Sequence, residues 1–225
     1  TSALTTELYQ PLTPEGALFV SPVLAIERRT ADLYQSHRRI ASYDISSALA
    51  GIDVGSLIGH YGELRLGIRG GGLDPKLDTG PQFLSPGDER VSQGAYTARL
   101  VLDQLDSVHF PRSGWRYGFG VFRSTKQLGA DVDYTRWDTD GNVAVSFGEN
   151  TVNLALKFGG KTGGDPLPRY DLFQWGGFLQ QSGYATGQLL GDKLEYARIM
   201  LYRRILRGTL LEGAYGGAVL TSGKL

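Results

Sequence analysis

Apolar and polar residues alternate with period two along much of the chain. In "ELRLGIR", Leu64, Leu66 and Ile68 share one face and Glu63, Arg65 and Arg69 the other, as successive side chains of a strand do. "WRYGFGVFR" sets Trp115, Tyr117, Phe119 and Val121 against Arg116, Gly118 and Gly120, and "TVNLALKF" sets Val152, Leu154, Leu156 and Phe158 against Thr151, Asn153, Ala155 and Lys157. In "LEYARIMLYRR" both faces are apolar, Ala197, Ile199 and Leu201 on one and Tyr196, Met200 and Tyr202 on the other. There the period does not choose an outward side.

The connections between these strands decide what the alternation means. Short links, "TPEG" from Thr13, "GHYG" from Gly59, "VHFPRSG" from Val108, "GENT" from Gly148 and "RGT" from Arg207, take turns with longer ones. The longer set is "DLYQSHRR" from Asp32, the Pro/Gly-rich stretch from Gly70 to Ser92, "STKQLGAD" from Ser124, and a glycine-rich segment ending "GGFLQQSGYATGQLLGD" at Asp192. Tight turns alternating with longer loops are the rhythm of bacterial outer-membrane barrels, whereas Greek-key sandwiches mix their connection lengths. Strand lengths near ~9–11 residues give about ten strands, from "TTELYQPL" to "LLEGAYGGAVL", with "DYTRWDTDGNVAVSF" kept whole rather than broken at "TDGN". The predicted fold is all-β, an antiparallel transmembrane β-barrel.

Register follows from the same pattern. An Arg or Lys on the lipid face near the bilayer midplane costs about 2–4 kcal/mol, so a one-residue slip of "ELRLGIR" is strongly disfavoured. Trp115, Tyr117 and Tyr9, each near a tight turn, are expected in an interfacial aromatic girdle. "TSGKL" at the end of the chain supplies no closing aromatic strand, and an open sheet edge is not tolerated in hydrocarbon. The expectation is therefore that residues 1–225 form the central portion of one barrel domain.

Composition narrows the function classes. Across 225 residues, 23 Lys plus Arg balance 23 Asp plus Glu, so no global field attracts nucleic acid. Cysteine is absent, which removes disulfides, thiolate metal sites and cysteine nucleophiles. No run approaches the ~20 apolar residues of a membrane-spanning helix, and the slightly negative mean hydropathy is compatible with strands that show lipid only every second side chain.

The chemical motifs do not converge. "ALKFGGKT" from Ala155 has phosphate-loop spacing, but "GGDPLPRY" follows where a helix N-terminus would have to hold the phosphate. "WDTDGN" spaces Asp138, Asp140 and Gly141 like half a calcium loop, yet Arg136 and Phe147 occupy the flanking ligand positions. His37, His60 and His109 are scattered over turns and loops without matching acids, and "GSLIG" from Gly55 is the wrong order for a nucleophile elbow. No catalytic, cofactor-binding or metal-binding residues are expected in this chain.

"YDLFQWGGFLQQSGYATGQLLGD" followed by "KLEYARIMLYRR" resembles the sixth extracellular loop and following strand of the bacterial surface antigen superfamily, the outer-membrane barrels that include BamA, TamA and FhaC. The family signature is a Phe, a Gly-Gly pair, then Arg-Gly-Phe or Arg-Gly-Tyr; here the matching residues are Phe173, Gly176 and Gly177, then Ser182, Gly183 and Tyr184. In the family the loop folds into the barrel and its arginine meets acidic groups on the wall, so Ser182 departs from the charged lock. The Ser-Gly-Tyr tip, "RYDLF" before it and "MLYRRI" after it look most like the subgroup whose barrel follows a patatin-like phospholipase domain (the PlpD type). That resemblance implies a sixteen-strand plan, a POTRA domain and a lipid hydrolase upstream, and localisation in the outer membrane of a Gram-negative bacterium.

Glycines let such a loop pass close to a crowded wall, and Tyr184 can pack there while offering one hydroxyl. Glu212, inward by period in "LLEGAYGG", is the candidate wall partner; a flexible external loop is the alternative. The leading functional reading is an anchor, translocation or assembly barrel in the manner of type V secretion, and the alternatives are a passive porin or a soluble β-sandwich. Implied partners are outer-membrane lipid, the protein's own periplasmic or passenger domain and, as an open alternative, a homo-oligomer; no nucleic acid and no cofactor are implied. Tyr184→Ala is expected to loosen the loop and weaken the barrel, and heat-modifiable gel mobility and protease resistance equal to wild type would refute this.

Overall fold

The structure, a computed structural model, describes residues 2–35, 38–84, 90–206 and 213–225. The expectations placed on His37 and Glu212 lie outside the described residues. Among the described residues there are thirteen strands: β1 (Ser2–Glu7), β2 (Gln10–Pro11), β3 (Leu18–Gln35), β4 (Arg38–Ile58), β5 (Gly62–Thr79), β6 (Val91–Asp103), β7 (Gly114–Ser124), β8 (Tyr134–Phe147), β9 (Asn150–Gly164), β10 (Phe173–Trp175), β11 (Leu189–Gly191), β12 (Leu194–Leu206) and β13 (Ala214–Lys224).

All but β10 and β11 form one antiparallel sheet in the order β1-β3-β4-β5-β6-β7-β8-β9-β12-β13, and β2 continues the pairing of β1 along β3. This is a meander of ten wall positions. The "WDTDGN" segment runs unbroken through β8, and "GGKT" continues β9 instead of forming a phosphate loop.

Burial assigns the faces. Outward are Leu24 and Ile26 on β3, Ile52 and Val54 on β4, Leu64, Leu66 and Ile68 on β5, Trp115, Tyr117 and Phe119 on β7, and Ile199 and Leu201 on β12, all exposed. Such a continuous apolar belt has only hydrocarbon or another protein layer to cover it. For β12 the structure settles what the period left open: Tyr196, Met200 and Tyr202 are buried on the concave side.

Charge collects on that concave side and is paired. Arg69 grips Asp53 with two hydrogen bonds of 2.7 Å, and Arg65 binds Glu7 at 2.6 Å and also Glu63. Glu7 further accepts from the Ser21 hydroxyl at 2.6 Å. The Asp53 side chain is only 4% exposed, and an unpaired carboxylate so buried would be strongly destabilising. Two glycines make this crowding feasible: a Cβ at Gly67 would overlap Asp53 Oδ1, and one at Gly55 would overlap the Phe19 ring.

Two expectations need correction. β3 and β4 are 18 and 21 residues long, so most of the expected loop "DLYQSHRR" is strand, and β5 likewise runs through Gly70–Thr79. Tyr9 is not a girdle residue, since its ring packs at 4.5 Å on the inward Phe19.

The long strands share a feature that explains the first correction: their polarity reverses partway. Beyond Ile26 and Ile68 the outward positions become Arg28, Thr30 and Asp32 on β3, Asp44 and Ser46 on β4, and Asp74 and Lys76 on β5. Arg28–Asp44 at 2.9 Å and Lys76–Asp74 at 3.1 Å pair on this face. Most inward positions turn apolar over the same span, with Ile45, Leu73 and Ala41 buried, while Arg29 keeps its charge on this side and reaches the Tyr170 carbonyl. The strands therefore leave the bilayer and continue as an ordinary two-sided sheet whose greasy side faces in. Leu66→Arg is expected to lower stability by about 2–4 kcal/mol, and Thr30→Arg, on the same face beyond the reversal, by no more than about 1 kcal/mol. Urea titrations of vesicle-folded protein measure both, and equal costs would contradict the boundary.

Candidate functional site

Between β9 and β12 the chain leaves the wall and folds back across its concave face. β9 ends at Gly164, whose φ of 75° turns the backbone where a Cβ would collide with the Asp133 carbonyl. A single 3-10 turn, Arg169–Asp171, follows. The Tyr170 carbonyl accepts a 2.9 Å hydrogen bond from Arg29 Nη2 on β3, while Asp171 accepts from the Tyr134 hydroxyl on β8 and lies 4.0 Å from Arg136. β3 and β8 are five strands apart in the sheet. The turn thus braces two distant parts of the wall.

Apolar packing fixes the next segment. β10 pairs with β11, Phe173 with Gly191 and Trp175 with Leu189, making a small hairpin stem. Phe173, 2% exposed, lies over Gly159 of β9, where a Cβ would stand 2.5 Å from the ring. The Arg136 guanidinium lies 4.1 Å from the Phe173 ring centre, a cation–π contact of about 0.5–2 kcal/mol. Trp175 packs on Tyr196 at 4.6 Å, and both join Tyr134, Leu167, Phe173 and Leu194 in one buried cluster.

The tip runs from Gly176 to Gln188. Gly176 and Gly177 have φ of 121° and 107°, and a Cβ on Gly176 would stand 2.5 Å from the Ala185 carbonyl, so this pair has a backbone reason to be glycine. Gly177 N–H donates to Tyr184 O at 3.1 Å and Tyr184 N–H to Gln181 O at 3.0 Å, which closes the tip on itself. Leu179 adopts φ 61°, an uncommon state for a side-chain-bearing residue. Its carbonyl is held by the wall, accepting from the Tyr196 hydroxyl at 2.7 Å and Arg198 Nη1 at 3.4 Å. Arg198 is itself steadied by Asn153 Oδ1 at 3.3 Å.

Of the residues singled out from the motif, Phe173, Gly176 and Gly177 meet the wall or shape the tip, Tyr184 is half-buried, and Ser182 and Gly183 are exposed. The cations at this contact come from the wall, Arg29, Arg136 and Arg198, and the loop supplies acceptors: a ring, a carboxylate and two carbonyls. Arg29, Tyr134, Arg136, Asp171, Tyr196 and Arg198 were not singled out from sequence. The signal available for Tyr134 and Arg136 is their shared parity with Asp138 and Asp140 on β8.

The opposite mouth is also narrowed. Phe110 in the β6–β7 turn stacks on Tyr215 at 4.8 Å, Pro111 O accepts from Tyr202, and Arg112 meets Gly148 O and, at 3.8 Å, Glu149.

An antiparallel meander greasy outside, charged inside and crossed by its own loop defines the class: the wall of a transmembrane β-barrel. A model of the Omp85 superfamily domain matches residues 10–216, and the chain belongs to that superfamily, as a protein of the outer membrane of a Gram-negative bacterium. Among solved structures it resembles the crystal structure of BamA from Haemophilus ducreyi lacking POTRA domains 1-3, with a TM-score of 0.77 at 12% identity. The match covers 98% of this chain and 49% of that one, so the chain spans about half the length of its structural relative. No curated protein matches the sequence.

Burial pushes the Asp171 carboxyl up from 3.8 to about 6, against the pull of Arg29. A raised carboxyl pKa means that the docked loop binds a proton more tightly than the released one. Its stabilising contribution is complete below about 4 and is lost as pH rises through about 6, a span worth on the order of 3 kcal/mol. Hydrogen-exchange protection factors of residues 165–193, each normalised to the intrinsic exchange rate at its own pH, are therefore expected to be higher at pH 5 than at pH 7.5 in wild type and equal at the two pH values in Asp171→Asn; equal protection in wild type would contradict this.

Proposed function

We propose that the chain is the central wall of an outer-membrane barrel that anchors, translocates or assembles polypeptide, with the segment between β9 and β12 as a lumen-docked lock. The observation that carries this reading is the brace from Arg29 on β3 to Tyr134 and Arg136 on β8, which lays the loop across the lumen. An open conduit for small solutes would keep that space clear. The Phe110–Arg112 turn at the other mouth also favours a closed barrel over a passive porin.

The finer assignment rests on the motif. Ser182-Gly183-Tyr184 with "RYDLF" before it supports membership of the patatin-linked subgroup, in which a lipid hydrolase precedes the barrel and the remaining strands lie outside residues 1–225. The 49% coverage of the BamA chain supports that placement. In this reading Arg136 and Arg198 do from the wall what a loop arginine does elsewhere in the superfamily, and the lock keeps its charge with the polarity exchanged.

Proteoliposomes of the full protein are expected to resist swelling in small sugars, and the double variant Arg136→Ala/Arg198→Ala to swell readily while keeping its heat-modifiable mobility. Free permeation by wild type, or sealed vesicles from the double variant with its loop newly open to protease, would contradict the lock.

A further inference from the structure

Beyond the bilayer, the reversed inner face of β3, β4 and β5 does not pack directly on the loop over its whole area. A cavity of about 480 Å³ separates them. Leu33, Tyr43, Ile45 and Pro75 line it from the sheet, and Leu172 and Leu190 from the loop. Phe83, 84% exposed, stands at its rim.

The chemistry of the walls selects the occupant. The volume falls in the range of roughly 300–1,000 Å³ typical of small-molecule sites. The walls are mostly aliphatic and aromatic, with Gln174 and the tyrosines Tyr43 and Tyr170 among them; these are too few to partner the many hydrogen-bonding groups of a peptide backbone or a sugar, whereas a hydrocarbon chain brings none that need a partner. Two charged residues border the space, Asp32 and Arg169. Asp32, on the outward face of β3, pairs through Oδ2 with Arg39 at 3.5 Å while its Oδ1 is buried without a partner, and an acid repels an anionic head; Arg169 is exposed with no acid within ion-pair distance among the described residues. The cation left to meet a ligand is Arg169. We propose that this cavity binds a single-chain anionic amphiphile, its hydrocarbon tail between Ile45 and Leu190 and its anionic head on the Arg169 guanidinium.

The site joins the strand tips to the loop, so its occupant would contact both elements at once. That distinguishes it from the lipid belt, which touches only outward residues such as Leu64, Leu66 and Ile68.

The full protein in phosphatidylcholine nanodiscs tests this with a diazirine-bearing palmitic acid and the matching long-chain alcohol, adducts being mapped by mass spectrometry. Expected are acid adducts on the peptides carrying Ile45, Leu172 and Leu190, displaced by unlabelled palmitate or by a phosphate-headed lysophospholipid, the stronger competitor identifying the head group. Arg169→Gln, an exposed position whose change leaves the fold intact, is expected to weaken acid labelling there roughly tenfold and to spare the alcohol. Leu190→Trp is expected to remove cavity adducts of both probes while adducts on Leu64–Ile68 persist, which reports that the barrel is still folded. Adducts confined to the lipid belt, failure of both competitors, or acid labelling unchanged by Arg169→Gln would each overturn the proposal.

Discussion

Hydrocarbon offers no hydrogen-bond partner, and this one constraint orders the whole molecule. Every backbone donor and acceptor within the bilayer must be met inside the sheet, which the unbroken antiparallel ladders from β3 through β9 to β12 provide. Side chains then have two solvents to choose between, and alternate positions divide: Leu64, Leu66 and Ile68 to lipid, Arg65 and Arg69 to the enclosed side. On that enclosed side water is limited, so charge is kept in bidentate or shared pairs such as Arg69 with Asp53. Where bulky or ionic groups converge, glycine opposite them gives the room.

The docked loop extends the same logic with different materials. Its anchoring is half apolar, through Phe173, Trp175 and Leu167, and half directional, through Arg29, Tyr134, Tyr196 and Arg198. Neither half is free of cost. Arg136 Nε, Arg198 Nε and Trp175 Nε1 are buried without a protein partner, and such groups weaken an interface that apolar packing alone would make tighter.

Much of the wall was legible because lipid and lumen impose a strict parity that "ELRLGIR", "WRYGFGVFR" and "TVNLALKF" display openly. The failures have physical causes. "GGGLDPKLDT" read as a loop because proline and glycine punctuate most chains, yet it is strand, and its apolar Leu73 and Leu77 face inward; beyond the bilayer the polarity code reverses and the same period carries the opposite meaning. "LEYARIMLYRR" was ambiguous because Tyr196 and Met200 face a protein-filled lumen rather than water. The loop motif was visible locally through Gly176 and Gly177, but its partners Arg29, Arg136 and Arg198 lie in distant strands, where only the folded register brings them together.

Site-directed nitroxide scanning along β5 from Leu64 to Leu77, in bilayers, tests the account most directly. Labels at 64, 66 and 68 are expected to favour oxygen over a water-soluble nickel chelate, with odd positions shielded from oxygen. Beyond Gly72 the even positions should become chelate-exposed while 73 and 77 are shielded from both. Absence of alternation, or an alternation that keeps its lipid phase unbroken to Leu77, would contradict a wall that passes from hydrocarbon into water with its greasy face turned inward.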